Sequence, residues 1–518
     1  MNSTKIKAIA IATIATLIAI WLGMNAATAQ IETIMWVMGV GTIIVCAMLG
    51  SKIWMILPFA ATLNLTLMIP GQPSTILLSQ ALFIGFSGML ILLRKLPFRL
   101  QITELEIWIL LLVLCAGQVY LRHPVGLNIF GSESIGARPY AIFGAGIVSA
   151  LLVAGLKVPH KDLTMYFRIH IIGGLLNFTM LAIGYFTPKV GVWYGSVNVD
   201  SLSQGGYQEG TYGVERATRI QFTRDISNNL ALWISAIKSP IRACFHPIWA
   251  PLVLLTFAFA ALSGYRSEIV YVGLTYLVGI IYRGGLRWVS VATAVLAAGF
   301  MIMALLNSVS PLPSNIQRSL TFLPGTWDEV HKKDAEDSTL WRTEMWKEAL
   351  FTKYWIQNKW LGDGLGMTQQ EFSYVQSLKS KQISGQAGTS KLTLQQEIMM
   401  ASNSYHSGPV STIRAIGYLG LLILLGAQIR LAVHAHRQIK RARNTQWYPL
   451  TLLIGIPLIS SPIFFTFVFG DFGQAMASFL YGVAMVRLLE NSLTPQSLLL
   501  NVKNNAHDIS LAKISDTQ

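Results

Sequence analysis

His406 stands in "ASNSYHSGPVSTIRAIGYLG", residues 401 to 420, just before an apolar run that opens with Pro409. A neutral imidazole at that threshold can take a proton from a hydroxyl at physiological pH, which makes it the first candidate for chemistry. Pro409 suits the first helical position and Gly408 the N-cap, so the ring falls just outside the apolar phase. Arg266, in "ALSGYRSEIV", occupies a short turn between two apolar runs. With Ser267 as N-cap of the next helix, a guanidinium and the positive end of a helix dipole converge on one spot, which suits a phosphate or pyrophosphate. Arg342 lies one helical turn before Trp346, and Arg414 lies within the first two turns of the run that follows His406. A charge in that position needs a partner, a water-filled cavity or a route to the surface. Arg219 and Arg138 add cations on the same side.

Each of these residues also has a plainer reading. Arg266 could snorkel to lipid headgroups, Arg342 could pair locally with Glu344 or Glu348, and an interfacial histidine is often structural. Fixed cations around His406 would bias it against protonation and keep it available as a general base.

The elements that must position these residues are membrane helices. Of 518 residues, 53% are hydrophobic and 12% charged, and apolar runs long enough to cross a bilayer recur from end to end. Runs fall at 7 to 24, 33 to 49, 52 to 69, 76 to 93, 105 to 121, 137 to 156 and 167 to 186. Later ones fall at 244 to 263, 267 to 282, 286 to 306, 410 to 431, 449 to 469 and 471 to 488. A further segment at 228 to 242 would reach roughly 22 Å as a helix against a hydrocarbon core of about 30 Å. It must start earlier, tilt little or be re-entrant. The expected fold is an all-α polytopic membrane protein with about 14 (12–14) transmembrane helices and a large, partly helical outward loop.

Charge sets the orientation. The net charge of +15 resides mostly in short connectors such as Arg94, Lys95 and Arg99, or 434 to 443, a positive-inside pattern and not a nucleic-acid surface. Counting the segment at 228 to 242 as a crossing puts Lys5, Lys7, Lys52, Arg283, Arg287 and the block at 434 to 443 all inside. Lys5 and Lys7 before the run at 8 to 24, followed by Ala27, Thr28 and Ala29, resemble a secretory signal. The run is longer than a usual signal core, so a retained first helix is expected.

The chain then divides into N-terminal transmembrane helices (1–186), a transmembrane region with an outward loop and the Arg266 turn (187–306), a large outward loop (307–408), C-terminal transmembrane helices (409–490) and a cytoplasmic tail (491–518). The large loop holds ten of the 24 acidic residues. It contains "STLWRTEMWKEALFTKYW", in which Trp341 and Met345, then Trp346 and Leu350, recur at four-residue spacing. That face could lie on the membrane surface or pack over the helix bundle.

Other chemistry finds little footing. Cys46, Cys115 and Cys244 lie far apart in apolar runs, so no disulfide or metal motif is expected. "GDGLG" at 362 to 366 lacks the strand-turn-helix context of a nucleotide loop, and the acids between 328 and 337 lack calcium-loop spacing. No cofactor is expected, and the outward arginines would supply positive charge in place of a metal.

The ordered residues resemble the O-antigen ligase and O-antigen polymerase superfamily of bacterial membrane glycosyltransferases. The family has an arginine with a downstream asparagine, here Arg219 with Asn228, then a small-residue turn with an arginine opening a helix, here 263 to 267 around Arg266. Next come a long periplasmic loop with arginine and tryptophan (Arg342, Trp346), a glycine-rich stretch (Gly362, Gly364, Gly366) and a histidine before a helix with spaced glycines (His406, Gly417, Gly420). The sequence departs from the pattern in two places. "RIQFTRDISNN" lacks the usual glycine and proline, and Ser407 stands where asparagine is common.

The resemblance implies a multi-pass protein of the bacterial inner membrane with its active site facing the periplasm. Its donor would be a glycan on undecaprenyl pyrophosphate, its acceptor a growing glycan, lipid A core or a protein side chain, and its surroundings membrane lipids. Arg266, Arg342, Arg414 and Arg219 would hold the pyrophosphate, and His406 would deprotonate the acceptor hydroxyl, with inversion at the anomeric centre. Polymerisation of an exported polysaccharide is the expected reaction, although members with different acceptors share these residues. Two other classes compete. A transporter would carry inverted repeats and a charged path, whereas the polar residues inside the runs are isolated ones such as Asn64, Gln80, Gln118 and Asn177. A non-catalytic scaffold for polysaccharide synthesis would not need the outward arginine and histidine set.

Overall fold

The computed structural model describes residues 31 to 63, 65 to 67, 73 to 126, 136 to 187, 191, 220 to 384 and 392 to 493. Among these residues every extended regular element is a helix. In chain order they are α1 (Ile31–Leu49), a 3-10 segment (Gly50–Met55), α2 (Ile56–Leu63), α3 (Thr75–Leu92), α4 (Glu104–Arg122), α5 (Arg138–Ala154), α6 (His160–Phe186), α7 (Gln221–Ile237), α8 (Pro240–Cys244), α9 (Trp249–Leu262), α10 (Arg266–Gly284) and α11 (Arg287–Val309). The remainder are α12 (Ser314–Leu320), α13 (Glu329–Phe351), α14 (Gln369–Ile383), α15 (Leu394–Ala401), α16 (Gly408–Ala442), α17 (Tyr448–Phe467) and α18 (Phe472–Ser492).

Eight helical stretches among the described residues are long and apolar enough to cross a membrane, the make-up of a polytopic membrane protein. The run expected at 33 to 49 is the helix α1, whereas the one expected at 52 to 69 is divided between the 3-10 segment and α2. α2 has only 8 residues, so it reaches about 12 Å and cannot cross on its own. The expected first helix at 7 to 24, most of the loop expected at 187 to 227, and the tail beyond 493 lie outside the described residues.

Two units are distinct, one formed by 31 to 54 with 85 to 96, the other by 55 to 84 with the chain from 97 onward. The second unit carries His406, Arg266, Arg342 and Arg414. At its centre is α7, which packs on α6, α9, α10 and α17. The short segment at 228 to 242 thus starts earlier, at Gln221, and its 17 residues end where Lys238 turns extended. Ala231 and Ile234 of α7 join Val253 and Ala260 of α9, Val272 and Tyr276 of α10, and Leu320 and Trp327 in one buried cluster.

Four helices, α12 to α15, occupy the large loop. Local capping starts three of them. Asp328 accepts the Val330 N–H at 3.0 Å, and Thr368 with Glu371 and Thr393 with Gln396 form capping boxes. The apolar stripe of α13 packs over the bundle: Met345 and Ala349 join Met400, Tyr405, Val410 and Ile413, with Trp341, Trp346 and Leu350 against them.

α16 is broken at Gly417, where φ is 77°. The segment 358 to 364 fits into the break. The Tyr418 N–H donates to the Lys359 carbonyl at 2.8 Å, and the Asp363 N–H donates to the Arg414 carbonyl at 2.8 Å. A Cβ on Gly417 would lie 2.2 Å from the Trp360 carbonyl oxygen, and one on Gly362 would lie 2.6 Å from that of Ala415. The glycines here permit two backbones to touch, as glycine does where chains approach closely. Beyond the break α16 runs on to Ala442, so the basic block at 434 to 443 is largely helix and not connector. At that end an ion cluster ties α4, α16 and α18 together. Arg487 bonds Glu106 at 2.9 Å and Glu490 at 2.7 Å, His434 reaches Glu490 and Glu104, and Arg430 also reaches Glu104.

Candidate functional site

His406 is fixed by its neighbours more than by its own backbone preference. Its φ is 50° and that of Asn403 is 62°, a left-handed conformation costing a non-glycine residue about 1–3 kcal/mol, which the surroundings must impose. On one side Tyr405 is fully buried, its carbonyl accepting a 2.7 Å bond from Trp346 Nε1 of α13. Burial pushes the Tyr405 phenol up to about 12. On the other side Ser407 caps α16, accepting the Val410 N–H. The sequence suggested Gly408 for that role. Gly408 is instead helical, and a Cβ there would meet the Phe465 ring at 2.4 Å. The imidazole packs against two rings, Trp341 at 6.2 Å and Phe469 at 5.6 Å between centroids.

Arg266 opens α10 as the sequence suggested, but Tyr265 is its N-cap residue and Ser267 is inside the helix. The turn is set two residues earlier than expected because Gly264 takes φ 74° and the Ser263 hydroxyl accepts the Tyr265 N–H at 3.2 Å. Arg266 Nη2 donates to the Ala335 carbonyl at 2.9 Å and to Thr339 Oγ1 at 3.4 Å, both on α13. The same helix carries Arg342 two turns beyond Ala335.

One cavity of about 1480 Å³ is lined by Arg266, Arg342 and His406 together. At its charged end Arg224, Arg318, Glu268, Asp334, Asp337 and Asp471 join them. Arg318 pairs with Asp334 and donates to the Gly264 carbonyl at 2.7 Å. Arg224 lies 3.5 Å from Glu268 and stacks over the Tyr265 ring at 5.5 Å. Asp471, the N-cap of α18, accepts the Gly473 N–H at 2.8 Å. Among the described residues no group of three or more His, Cys, Asp or Glu side chains could hold a metal ion.

The cavity then descends between α6, α17 and α18. On α17 it is lined by Leu453, Pro457, Ser461 and Phe465, positions that span about 18 Å of helix. Pro457 and Pro462 sit inside that helix, and each removes one backbone hydrogen bond and crowds the preceding turn. The deeper wall mixes Leu458 and Met485 with Tyr166, His170 and Tyr481.

Arg414 and Arg138, two further sequence candidates, do not join this set. Arg414 is buried and pairs with Glu371 at 3.3 Å and with the Gly364 carbonyl at 3.2 Å. It faces the glycine-rich segment and is not on the cavity wall. The need for a partner inside an apolar helix is met there. Arg219 lies outside the described residues. Arg138, also buried, opens α5 away from the cavity lining.

Arg224 was missed by the sequence analysis although it precedes Asn228 by one helical turn, a spacing that puts both on one face of α7. Arg318 and Asp334 gave no local signal, because their pairing forms only when α12 packs on α13. The chain matches no family model and no curated protein, so the resemblance stands on the order and spacing of its residues alone.

Proposed function

We propose that this chain is an inverting glycosyltransferase of the bacterial cytoplasmic membrane, moving a glycan from undecaprenyl pyrophosphate to an acceptor hydroxyl at the periplasmic face without a metal. Polymerisation of an exported polysaccharide is the preferred reaction. The observation that carries this proposal is the one cavity whose lining joins Arg266, Arg342 and His406 to a limb between helices walled by aliphatic and aromatic side chains with a few polar ones. An isoprenoid pyrophosphate has the same division, a dianionic head on a hydrocarbon chain.

In this scheme Arg266 and Arg342 grip the pyrophosphate and offset charge as it leaves, and Arg224 and Arg318 add to that field. His406 takes the proton from the acceptor hydroxyl, which attacks opposite the leaving group and inverts the anomeric centre. Arg414, engaged with Glu371, would act by holding the loop in place. The full topology belongs to the same proposal, with about fourteen crossings, both termini cytoplasmic and the loop at 307 to 408 periplasmic. The placement of Arg430, Arg437 and Lys440 toward the end of α16 remote from His406 supports that orientation.

The test is transfer itself. Purified protein in lipid nanodiscs is given a polyprenyl-pyrophosphate-linked glycan and, in separate reactions, a second lipid-linked glycan, lipid A core or a peptide acceptor. Sugar gained by the lipid-linked glycan is expected. Transfer to none of them, with intact donor recovered, would reject the proposal.

A further inference from the structure

The charged end of the cavity carries its own counter-charges. Arg224, Arg266, Arg318 and Arg342 face Glu268, Asp334, Asp337 and Asp471, four cations against four carboxylates. A pyrophosphate diester brings two more negative charges to a wall that is already balanced. One of the existing carboxylates must then give up its cation, take up a proton, or both.

Glu268 is the group placed to do so. Its side chain is 4% exposed whereas that of Arg224 is 31% exposed, so a ligand can reach the guanidinium while the carboxylate stays largely enclosed at the cavity wall. Its other oxygen accepts the Ser227 hydroxyl at 2.9 Å. Asp334 differs, since its partner Arg318 is itself buried and bonded also to the Gly264 carbonyl. Asp471 is occupied in capping α18.

We propose that Glu268 occupies the counter-ion position of the donor phosphate: it orients Arg224 until the donor arrives, then yields Arg224 to the pyrophosphate while a proton from solvent goes onto the Glu268 carboxylate. Glu268 is thus a positioning residue acting through Arg224, and donor binding takes up a proton. A carboxylate left enclosed with only Ser227 and Asn228 beside it is far more costly charged than neutral. The titratable and charged groups around it are Arg224 and Asp225 on α7, Tyr271 on α10, Arg266 and Arg318 across the cavity, Asp334 and Asp337 on α13, and His406. α9 and α17, also packed on α10, add no titratable side chain to the described cavity wall. The inference rests on the proposed function, in that the ligand is a pyrophosphate.

Calorimetry of the full chain in nanodiscs tests it, with farnesyl-pyrophosphoryl-glucose as the probe because its two phosphates each keep one charge across the working range. Titrations in buffers of different ionisation enthalpy should detect proton uptake by the wild type, and affinity should fall by up to about tenfold per pH unit as pH rises. Glu268→Gln should bind more tightly at the basic end and take up no proton, while His406→Gln should keep the uptake. Should Glu268→Gln not fold, Ser227→Ala, which removes a bond favouring ionised Glu268, should displace the same pH profile to higher pH. Uptake that survives in Glu268→Gln, a Ser227→Ala profile identical to wild type, or wild-type binding without uptake would overturn the role of Glu268 and leave the functional proposal standing. Failure of the wild type to bind the probe at any pH would remove both.

Discussion

Trp341 and His406 face each other with ring centroids 6.2 Å apart and planes inclined by 37°. The contact links α13, which carries Arg342, to the residue that precedes α16, so one packing arrangement sets both the guanidinium and the imidazole. Phe469 packs against the same ring at 5.6 Å. If His406 is the base, His406→Gln should still bind donor yet lose roughly 10²- to 10⁴-fold in rate, the usual contribution of a positioned base. Transfer assays beside donor-binding titrations check this. A fully active glutamine variant would reduce His406 to a residue that orients substrate.

Arg266→Lys and Arg342→Lys should each lose about ten- to a hundredfold in catalytic efficiency, corresponding to about 1.5–3 kcal/mol for a charge-assisted hydrogen bond. Lysine keeps the charge but lacks the planar fork that grips two phosphate oxygens. Steady-state kinetics on both variants provide the measurement, and wild-type values in both would mark these arginines as surface charges.

Orientation can be read by single-cysteine labelling in a background lacking Cys46, Cys115 and Cys244. Cysteines at Arg266, Asn403 and Asp337 should react with a membrane-impermeant reagent from outside the cell, and one at Arg443 only after the inner face is exposed. Labelling of Arg266→Cys solely from the cytoplasmic side would place the cavity mouth on the wrong face for a periplasmic reaction.

Gly417→Ala should destabilise the protein by about 1–3 kcal/mol, since any Cβ there is held at positive φ and lies 2.2 Å from the Trp360 carbonyl oxygen. Thermal unfolding in detergent gives the magnitude. An unchanged melting temperature would mean that the 358 to 364 segment does not dock into the break of α16.

At the far end of the bundle, Arg487→Leu should cost about 3–5 kcal/mol, because Glu106 would be left buried without its cation. The double replacement Arg487→Leu with Glu106→Leu should recover much of that loss. Equal destabilisation in the single and double variants would show that the pair contributes little beyond packing.

Particular residues show where the sequence was sufficient. The runs at 105 to 121, 286 to 306 and 449 to 469 became Glu104–Arg122, Arg287–Val309 and Tyr448–Phe467, since length and apolarity are carried by contiguous residues. Trp341 and Trp346 were legible as one helical face, but whether that face met lipid or protein was not. Their packing on Tyr405 and Ile413 answers it.

Sequence by itself determined that this chain is helical, apolar and polytopic, because those properties are summed over neighbouring residues and need no folded partner. It also singled out Arg266 and His406, which lie at element boundaries where a polar residue is conspicuous, and Arg342, one turn before Trp346 in an amphipathic helix. Only the tertiary structure decided which cations share a cavity. Arg414 carried the stronger local signal but pairs with Glu371, whereas Arg224 and Arg318, unremarkable in sequence, line the cavity with His406. Charge placement inside a bundle depends on which helices pack together, and for α7, α10, α12 and α13 that is fixed by contacts between residues far apart in the chain.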